Sequence, residues 1–340
     1  MIRKTITFTA ERQVELLESQ LRPLHEYEVL VSNEVSAISA GTERACLLDL
    51  PNLGDSPPCD FPKVTGYSGV GRVVDTGKQI NSVQPGDRVL THWGSGHSNY
   101  NYITEANLLK IEDDSLPSKH AVFAVIAGFS LNGLRKTRFE IGESATVIGL
   151  GILGLFSVAL CRIAGATPVI ASDLSHARRE TALALGADHA LDPTARDYID
   201  RVKSISRGGV NATIEVSGQS IALQQALNFA APFGRISLLG CTRVSDSSID
   251  YYQQVHRPGI EIIGAHTNAR PKKESRPHSW TWKDDASALL RFMSDGRLDM
   301  TKIFTTAYSP EAAVSIYQKL ADAPNDFPVG TVFDWKQTAS

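Results

Sequence analysis

The distribution of apolar residues changes character near residue 145. Before it, they fall in short β-branched runs at 2–8, 14–17, 28–40, 69–75, 88–91 and 102–111, separated by turn signals such as Gln84-Pro85-Gly86-Asp87. Short strands at close spacing predict a compact, barrel-like β domain. A helical pattern over 118–138, with Ser118 placed as its cap, follows. Beyond 145, apolar strands at 145–149, 168–173, 189–191, 212–216 and 235–239 alternate with helical stretches at 152–165, 175–186, 195–206 and 219–230. That alternation predicts an α/β fold built on a doubly wound parallel sheet, with a sixth strand at 259–264. A polar, aromatic loop at 266–285, helices at 286–292 and 310–320 and a strand at 330–335 complete the chain.

Composition narrows the class. At 340 residues the chain exceeds one ordinary core, so two domains are expected. Hydrophobic residues at 42% and charged residues at 21% describe a soluble globular protein, and a net charge of −3 gives no basis for a nucleic-acid or membrane partner. Cys46, Cys59, Cys161 and Cys241 are scattered without a C-x-x-C pair, which indicates neither a disulfide framework nor a structural zinc lobe. The first residues alternate like a strand, and no apolar run reaches the roughly 20 residues of a membrane span, so a cytoplasmic location is expected.

The chemistry begins at Thr146-Val147-Ile148-Gly149-Leu150-Gly151-Ile152-Leu153-Gly154. A β-branched run enters G-x-G-x-x-G and an apolar helix leaves it, the context a dinucleotide fingerprint requires. Gly149 permits the tight turn, Gly151 lets backbone approach a pyrophosphate, and Gly154 lets helix and strand pack closely. The helix start at Ile152 and Leu153 faces the phosphates. The next strand ends at Asp173, close to the roughly 20 residues expected for a carboxylate on a ribose 2′-hydroxyl. Such a carboxylate repels the 2′-phosphate of NADP, so NAD is the expected cofactor, although Arg178 and Arg179 stand nearby.

Gly41-Thr42-Glu43, Gly66-Tyr67-Ser68-Gly69-Val70-Gly71, Pro85-Gly86-Asp87-Arg88-Val89, the glycine fingerprint and Leu185-Gly186-Ala187-Asp188 together resemble the medium-chain dehydrogenase/reductase superfamily over essentially the whole chain. The stretch Ile38-Ser39-Ala40-Gly41-Thr42-Glu43-Arg44 is also similar to the zinc-lacking branch that includes bacteriochlorophyllide hydroxyethyl dehydrogenases. The resemblance implies a GroES-like β-rich catalytic domain at 1–125 and 265–340 and a Rossmann domain at 126–264. It implies cofactor contacts from Arg178, Ser217, Gly240 and Ile263, and a homodimer or homotetramer paired through 259–264. The departures concern metal. Zinc-dependent members carry a cysteine where Ala40 stands and Gly-His-Glu where Gly66-Tyr67-Ser68 stands, and 93–100 holds no cysteine, so a zinc-independent member is implied. The alternative is a relocated site built from His92, His97 and nearby acids.

Without a metal, side chains must hold the reacting oxygen and move the proton. By the resemblance, Thr42 matches the hydroxyl that touches substrate oxygen. Tyr67 takes a zinc-ligand position, Glu43 takes the position of the acid behind it, and His92 ends a strand leading to the pocket. Tyr67 or His92 is the expected general acid/base, positioned by Thr42 and Glu43. The bland alternatives are a packed aromatic and a satisfied core histidine. Ser39, Arg44, Trp93, His97, His266 and Asn268 are expected to contact substrate. With Tyr100, Arg270, His278, Trp280 and Trp282, they form a polar and aromatic set that suits a sugar, polyol or cyclitol-like small molecule, or else anchors a surface loop. The expected activity is therefore NAD-dependent dehydrogenation of a secondary hydroxyl. An NADPH-dependent quinone or enone reductase and a non-catalytic nucleotide-binding protein are the other readings.

Overall fold

The structure, a computed structural model, describes residues 1–51, 60–94 and 96–337; Cys59 lies outside them. The chain divides into two units, Met1–Val125 with Phe304–Ser340, and Ile126–Ile303.

The first unit is β-rich. Its largest sheet is organised around the strand Glu28–Ala37, which pairs antiparallel with Ser68–Thr76, Tyr100–Thr104 and Thr331–Asp334. Arg88–His92 extends the sheet beyond Ser68–Thr76, and Leu108–Lys110 lies beyond it. Val29, Val31, Val73, Val89, Ile103 and Leu108 pack into one core. A second core lies under the small sheet of Gln13–Gln20, Ile2–Ala10 and Lys63–Val64, where Phe8, Leu47, Tyr317, Leu320, Phe333 and Trp335 are buried together.

Two local expectations change. The run 28–40 does not continue as a strand: it ends at Ala37, and the helix Ala40–Leu47 starts after Ser39 at its N-cap. Glu43, Ala45, Cys46 and Leu47 form the buried side of that helix, so the polar Gly41-Thr42-Glu43 is its first turn and not a loop. The pattern at 118–138 splits into Ser118–Ala121 and Ala124–Lys136. Ser118 is not the cap; Pro117 holds that position, and the Ser118 hydroxyl donates to Glu34 Oε2 at 2.6 Å while accepting from Arg88 Nη2 at 2.9 Å.

The second unit is the doubly wound sheet. Its six parallel strands lie in the order His189–Leu191, Val169–Ser172, Ala145–Ile148, Val210–Glu215, Ala230–Leu238, Glu261–Gly264. Ala145–Ile148 and Val169–Ser172 are buried at every position, as strands covered on both faces must be. The chain order reverses beside Ala145–Ile148, the place where open α/β sheets bind ligands.

Residues 266–303 pack in this second unit, whereas the sequence reading placed the boundary at 264/265 and gave them to the catalytic domain. The physical reason is a buried ionic clamp. Asp285 is fully buried and accepts from Arg135 Nε at 2.8 Å, while Arg270 Nη1 lies 3.6 Å from its other oxygen. Arg270 also donates to the Gly128 carbonyl at 2.8 Å, and the Arg135 guanidinium stacks 3.6 Å above Trp280. These contacts tie the loop after the last sheet strand to the helix Ala124–Lys136. Among the described residues no helix is long and apolar enough to cross a membrane.

Candidate active site

In the second unit the glycines do separate jobs. Gly149 has φ +90°, and a Cβ there would meet Ser217 N at 2.9 Å. A Cβ on Gly154 would overlap the carbonyl oxygen of Gly149, so helix and turn touch backbone to backbone. Gly151 is different: space for a Cβ is open, and it caps the helix Ile152–Ile163 without a side-chain hydrogen bond. The first N–H groups of that helix, at Ile152 and Leu153, are therefore available to an anion, with no side chain above Gly151 to obstruct one.

Asp173 is fixed by backbone donors. Leu150 N–H reaches Oδ2 at 2.7 Å and Ser175 N–H reaches Oδ1 at 2.8 Å. Arg179 is not a solvated bystander: its guanidinium donates to the carbonyls of Asp173 at 2.6 Å and Leu174 at 3.0 Å. Arg178 is half-buried, with its N–H on the Ser175 cap. Glu215, which sequence reasoning missed, accepts from the N–H groups of Ser217 at 2.7 Å and Gly218 at 3.0 Å. Burial pushes its carboxyl up from the ordinary value. Ser217 is thereby held against Gly149. Gly240 packs as tightly on Val216 and Gly218, and Ile263 lies in the edge strand, half-buried. A nicotinamide dinucleotide fits this donor set: an open glycine cradle at a helix start, then a carboxylate at the end of the next strand. His266 and Asn268 belong to this unit too. Both are exposed, and Asn268 N–H donates to His266 Nδ1 at 3.2 Å.

In the first unit the expected catalytic residues do come together, in an arrangement the sequence did not show. The Tyr67 phenol donates to Ser39 Oγ at 2.6 Å and also hydrogen-bonds Thr42. Burial, with the Glu43 charge nearby, pushes the phenol above its ordinary value, so Tyr67 is held neutral. Its ring stacks on Trp93 with centroids 4.9 Å apart. Thr42 is exposed, Trp93 is 43% exposed with φ +49°, and His92 is buried at the end of its strand, its ring 5.7 Å from that of Trp93. Arg44 is half-buried and reaches the Ala321 carbonyl at 3.4 Å.

Glu43 does not support Tyr67 by a hydrogen bond. It is 1% exposed and accepts from Ser39 N–H at 2.7 Å and from the Tyr317 hydroxyl at 2.6 Å. His97, expected at the substrate, is fully buried instead: Nδ1 lies 2.7 Å from Ser36 Oγ and Nε2 lies 3.2 Å from Glu43 Oε1. It presents no surface to a ligand. Tyr317 was not legible as a site residue. The signal was a hydroxyl-bearing ring inside the apolar stripe Ala313, Ile316, Leu320.

The residues present do not fit a catalytic zinc. Ala40 offers no ligand atom, the neutral Tyr67 phenol gives its proton to Ser39, and Ser68 donates its hydroxyl to the Val122 carbonyl. Among the described residues no three His, Cys, Asp or Glu stand together to hold a metal.

Comparison with known proteins agrees with both halves. The model described as "Alcohol dehydrogenase GroES-like domain" matches residues 26–129, and the one described as "Zinc-binding dehydrogenase" matches residues 153–282. Together they cover more than two thirds of the chain. It belongs to the medium-chain dehydrogenase/reductase superfamily. The relatives named next are dehydrogenases. L-threonine 3-dehydrogenase of Pyrococcus abyssi is 27% identical over 73% of this chain and 75% of its own. D-guloside 3-dehydrogenase of Escherichia coli is 26% identical over 91% of this chain and 94% of its own. Among solved structures, galactitol-1-phosphate dehydrogenase of Escherichia coli superposes with a TM-score of 0.82 at 18% identity, covering 97% of this chain and 99% of its own, and so shares the fold.

Proposed function

We propose that this protein is an NAD-dependent dehydrogenase acting on a secondary hydroxyl of a sugar, polyol or cyclitol-like compound without a catalytic zinc. The observation that carries the reading is the Tyr67 phenol, held neutral and bonded to Ser39 and Thr42, at the position where zinc members place a ligand. When bound, a nicotinamide supplies the hydride acceptor or donor. The chain's own residues supply the oxygen site and the proton. Thr42, exposed beside the phenol, orients the substrate oxygen. In ketone reduction Tyr67 enters as a neutral acid and gives its proton to the developing alkoxide. In alcohol oxidation the substrate proton moves onto Tyr67 as Tyr67 passes its own over the 2.6 Å contact to Ser39, and the Ser39 hydroxyl releases its proton to solvent in turn. Trp93 offers an apolar face beside these donors, a combination that suits the C–H and O–H surfaces of a sugar. NAD preference rests on Asp173, whose carboxylate closes the cradle, and on Arg179, whose guanidinium is committed to backbone carbonyls rather than to a 2′-phosphate.

The test is a spectrophotometric screen of chelator-treated protein against sugars, polyols, cyclitols, simple secondary alcohols and L-threonine, with NAD and NADP side by side. Turnover of a hydroxyl compound with NAD is expected. NADPH oxidation by quinones or enones, with no alcohol turned over, would replace the reading with a reductase. NAD binding without turnover across both panels would leave a nucleotide-binding protein.

A further inference from the structure

The buried groups around Glu43 do more than fill the core. Trp335 Nε1–H, which can only donate, points at Ser36 Oγ at 2.9 Å. Ser36 Oγ lies 2.7 Å from His97 Nδ1. A neutral ring has two proton arrangements here, and a doubly protonated ring would, like the first of them, place hydrogen on Nδ1. If Nδ1 carried the hydrogen, Nε2 would turn a bare lone pair on Glu43 Oε1, 3.2 Å away in a fully buried setting, and the Ser36 proton would lose this partner. If Ser36 donates to Nδ1 instead, every proton is used and Nε2–H faces the carboxylate. That contact is off the line of an ideal hydrogen bond, so it acts as an electrostatic restraint. The Tyr317 hydroxyl restrains the other carboxylate oxygen at 2.6 Å. Gly66 completes the fit: at φ +87° it leaves room that any Cβ would take from the His97 ring, 2.8 Å away.

We propose that His97 and Tyr317 are positioning residues: with Ser36 and Trp335 behind His97, they fix Glu43, and Glu43 fixes the first turn of the helix Ala40–Leu47 through Ser39 N–H, so that Ser39 Oγ stays where it receives the Tyr67 phenol. The line of contacts runs from the C-terminal segment, through Trp335 and Tyr317, to the proton-carrying residue of the preceding section. It rests on that section only for the role of Tyr67; the wiring itself is independent of any substrate. It also moves His97 from a ligand contact to an internal support, and it gives the acid at position 43 a role that needs no metal ligand beside it.

The experiment uses the full chain and two spectroscopic readouts. In 15N-histidine-labelled protein, the signals lost in His97→Gln identify His97, and they are expected to show a neutral ring with hydrogen on Nε2. In protein labelled with 13C at the tyrosine ring Cζ, the signal lost in Tyr67→Phe identifies Tyr67. That signal is expected to shift in His97→Gln and in Tyr317→Phe, each of which leaves most of the packing in place. Leu320→Ala, in the same apolar cluster but outside the polar line, is expected to lower the melting temperature and leave the Tyr67 signal where it is. Should His97→Gln not fold, Ser36→Ala removes only a hydroxyl and is expected to release the Nε2–H tautomer into a mixture. Hydrogen on Nδ1 in the native protein, or a Tyr67 signal unmoved by Tyr317→Phe and by whichever of the other two variants folds, overturns the proposal. Because no substrate is added, a failed dehydrogenase screen and a failed wiring test are separate results.

Discussion

The two glycines of the fingerprint that flank the start of the helix Ile152–Ile163 make opposite predictions for the same substitution. At Gly151 an alanine methyl meets nothing within 4 Å, and the residue has φ −66°, a value any residue adopts. Gly151→Ala is therefore expected to fold with an unchanged melting temperature. Its methyl stands where a pyrophosphate must come close, so NAD binding is expected to weaken by at least about tenfold, or about 1.4 kcal/mol. At Gly154 the methyl would overlap the Gly149 carbonyl oxygen and stand 2.8 Å from its carbonyl carbon. The oxygen contact, 1.8 Å, decides: carbon and oxygen approach to about 3.3 Å, so helix and turn must part by about 1.5 Å. Overpacking of that kind costs about 1–3 kcal/mol. For a unit of this size each kcal/mol is worth about 2–4 °C, so a fall of about 2–12 °C is expected in Gly154→Ala. Calorimetric melting of the free protein and titration with NAD read the two effects separately. A Gly151→Ala protein that melts early yet binds NAD normally, with Gly154→Ala melting like the parent, would refute the division of labour.

Three other expectations follow from buried groups. Tyr67→Phe keeps the stack on Trp93 but removes the proton, and it is expected to lower turnover of whichever alcohol the screen yields by about 100-fold or more, with NAD affinity unchanged. Alkaline titration followed by tyrosinate absorbance is expected to stop short of the nine tyrosines until the protein unfolds, because burial raises Tyr67 and Tyr317 and pushes Tyr198 up to about 12. Each of these groups binds its proton more tightly folded than unfolded, so their contribution is intact below pH 10 and drains away above it; nine tyrosines titrating together near pH 10 in folded protein would contradict this. Asp285→Asn leaves Arg135 and Arg270 without their buried anion and is expected to cost about 3–5 kcal/mol, read as a lower urea midpoint.

What the sequence disclosed and what it withheld divide along the range of the interactions. Gly149, Gly151, Gly154 and Asp173 were legible because each need is set by backbone within one βαβ unit, and the spacing of strands and helices repeats it. The helix Ala40–Leu47 was missed because Val35, Ala37 and Ile38 extend a strand pattern, and the N-cap at Ser39 binds no backbone N–H through its own side chain. Its stabilising contact is the Glu43 carboxylate turning back on Ser39 N–H, which no periodicity reports. His97 and Tyr317 stand 54 and 274 residues from Glu43, so their convergence is a property of the folded sheet. The clamp after residue 264 was hidden for the same reason: Arg135, Arg270 and Asp285 look like separate surface charges until the fold stacks them.

The acid at position 43 shows what a buried carboxylate demands of its surroundings. A carboxylate buried to 1% exposure cannot stand alone, since an unpartnered buried charge is among the costliest groups a fold can hold. In a zinc member the acid answers to a histidine that the metal polarises. Here the histidine position carries Tyr67, whose phenol has turned to Ser39 and Thr42. Glu43 must then draw its donors from the chain, and it does so from Ser39 N–H and the Tyr317 hydroxyl, with the His97 ring 3.2 Å away on a third side. Burial first, and then the same negative charge, disfavour a phenolate at Tyr67 and hold the group in its protonated form. Under the zinc-independent reading proposed above, burial and charge placement within the protein set the proton on Tyr67.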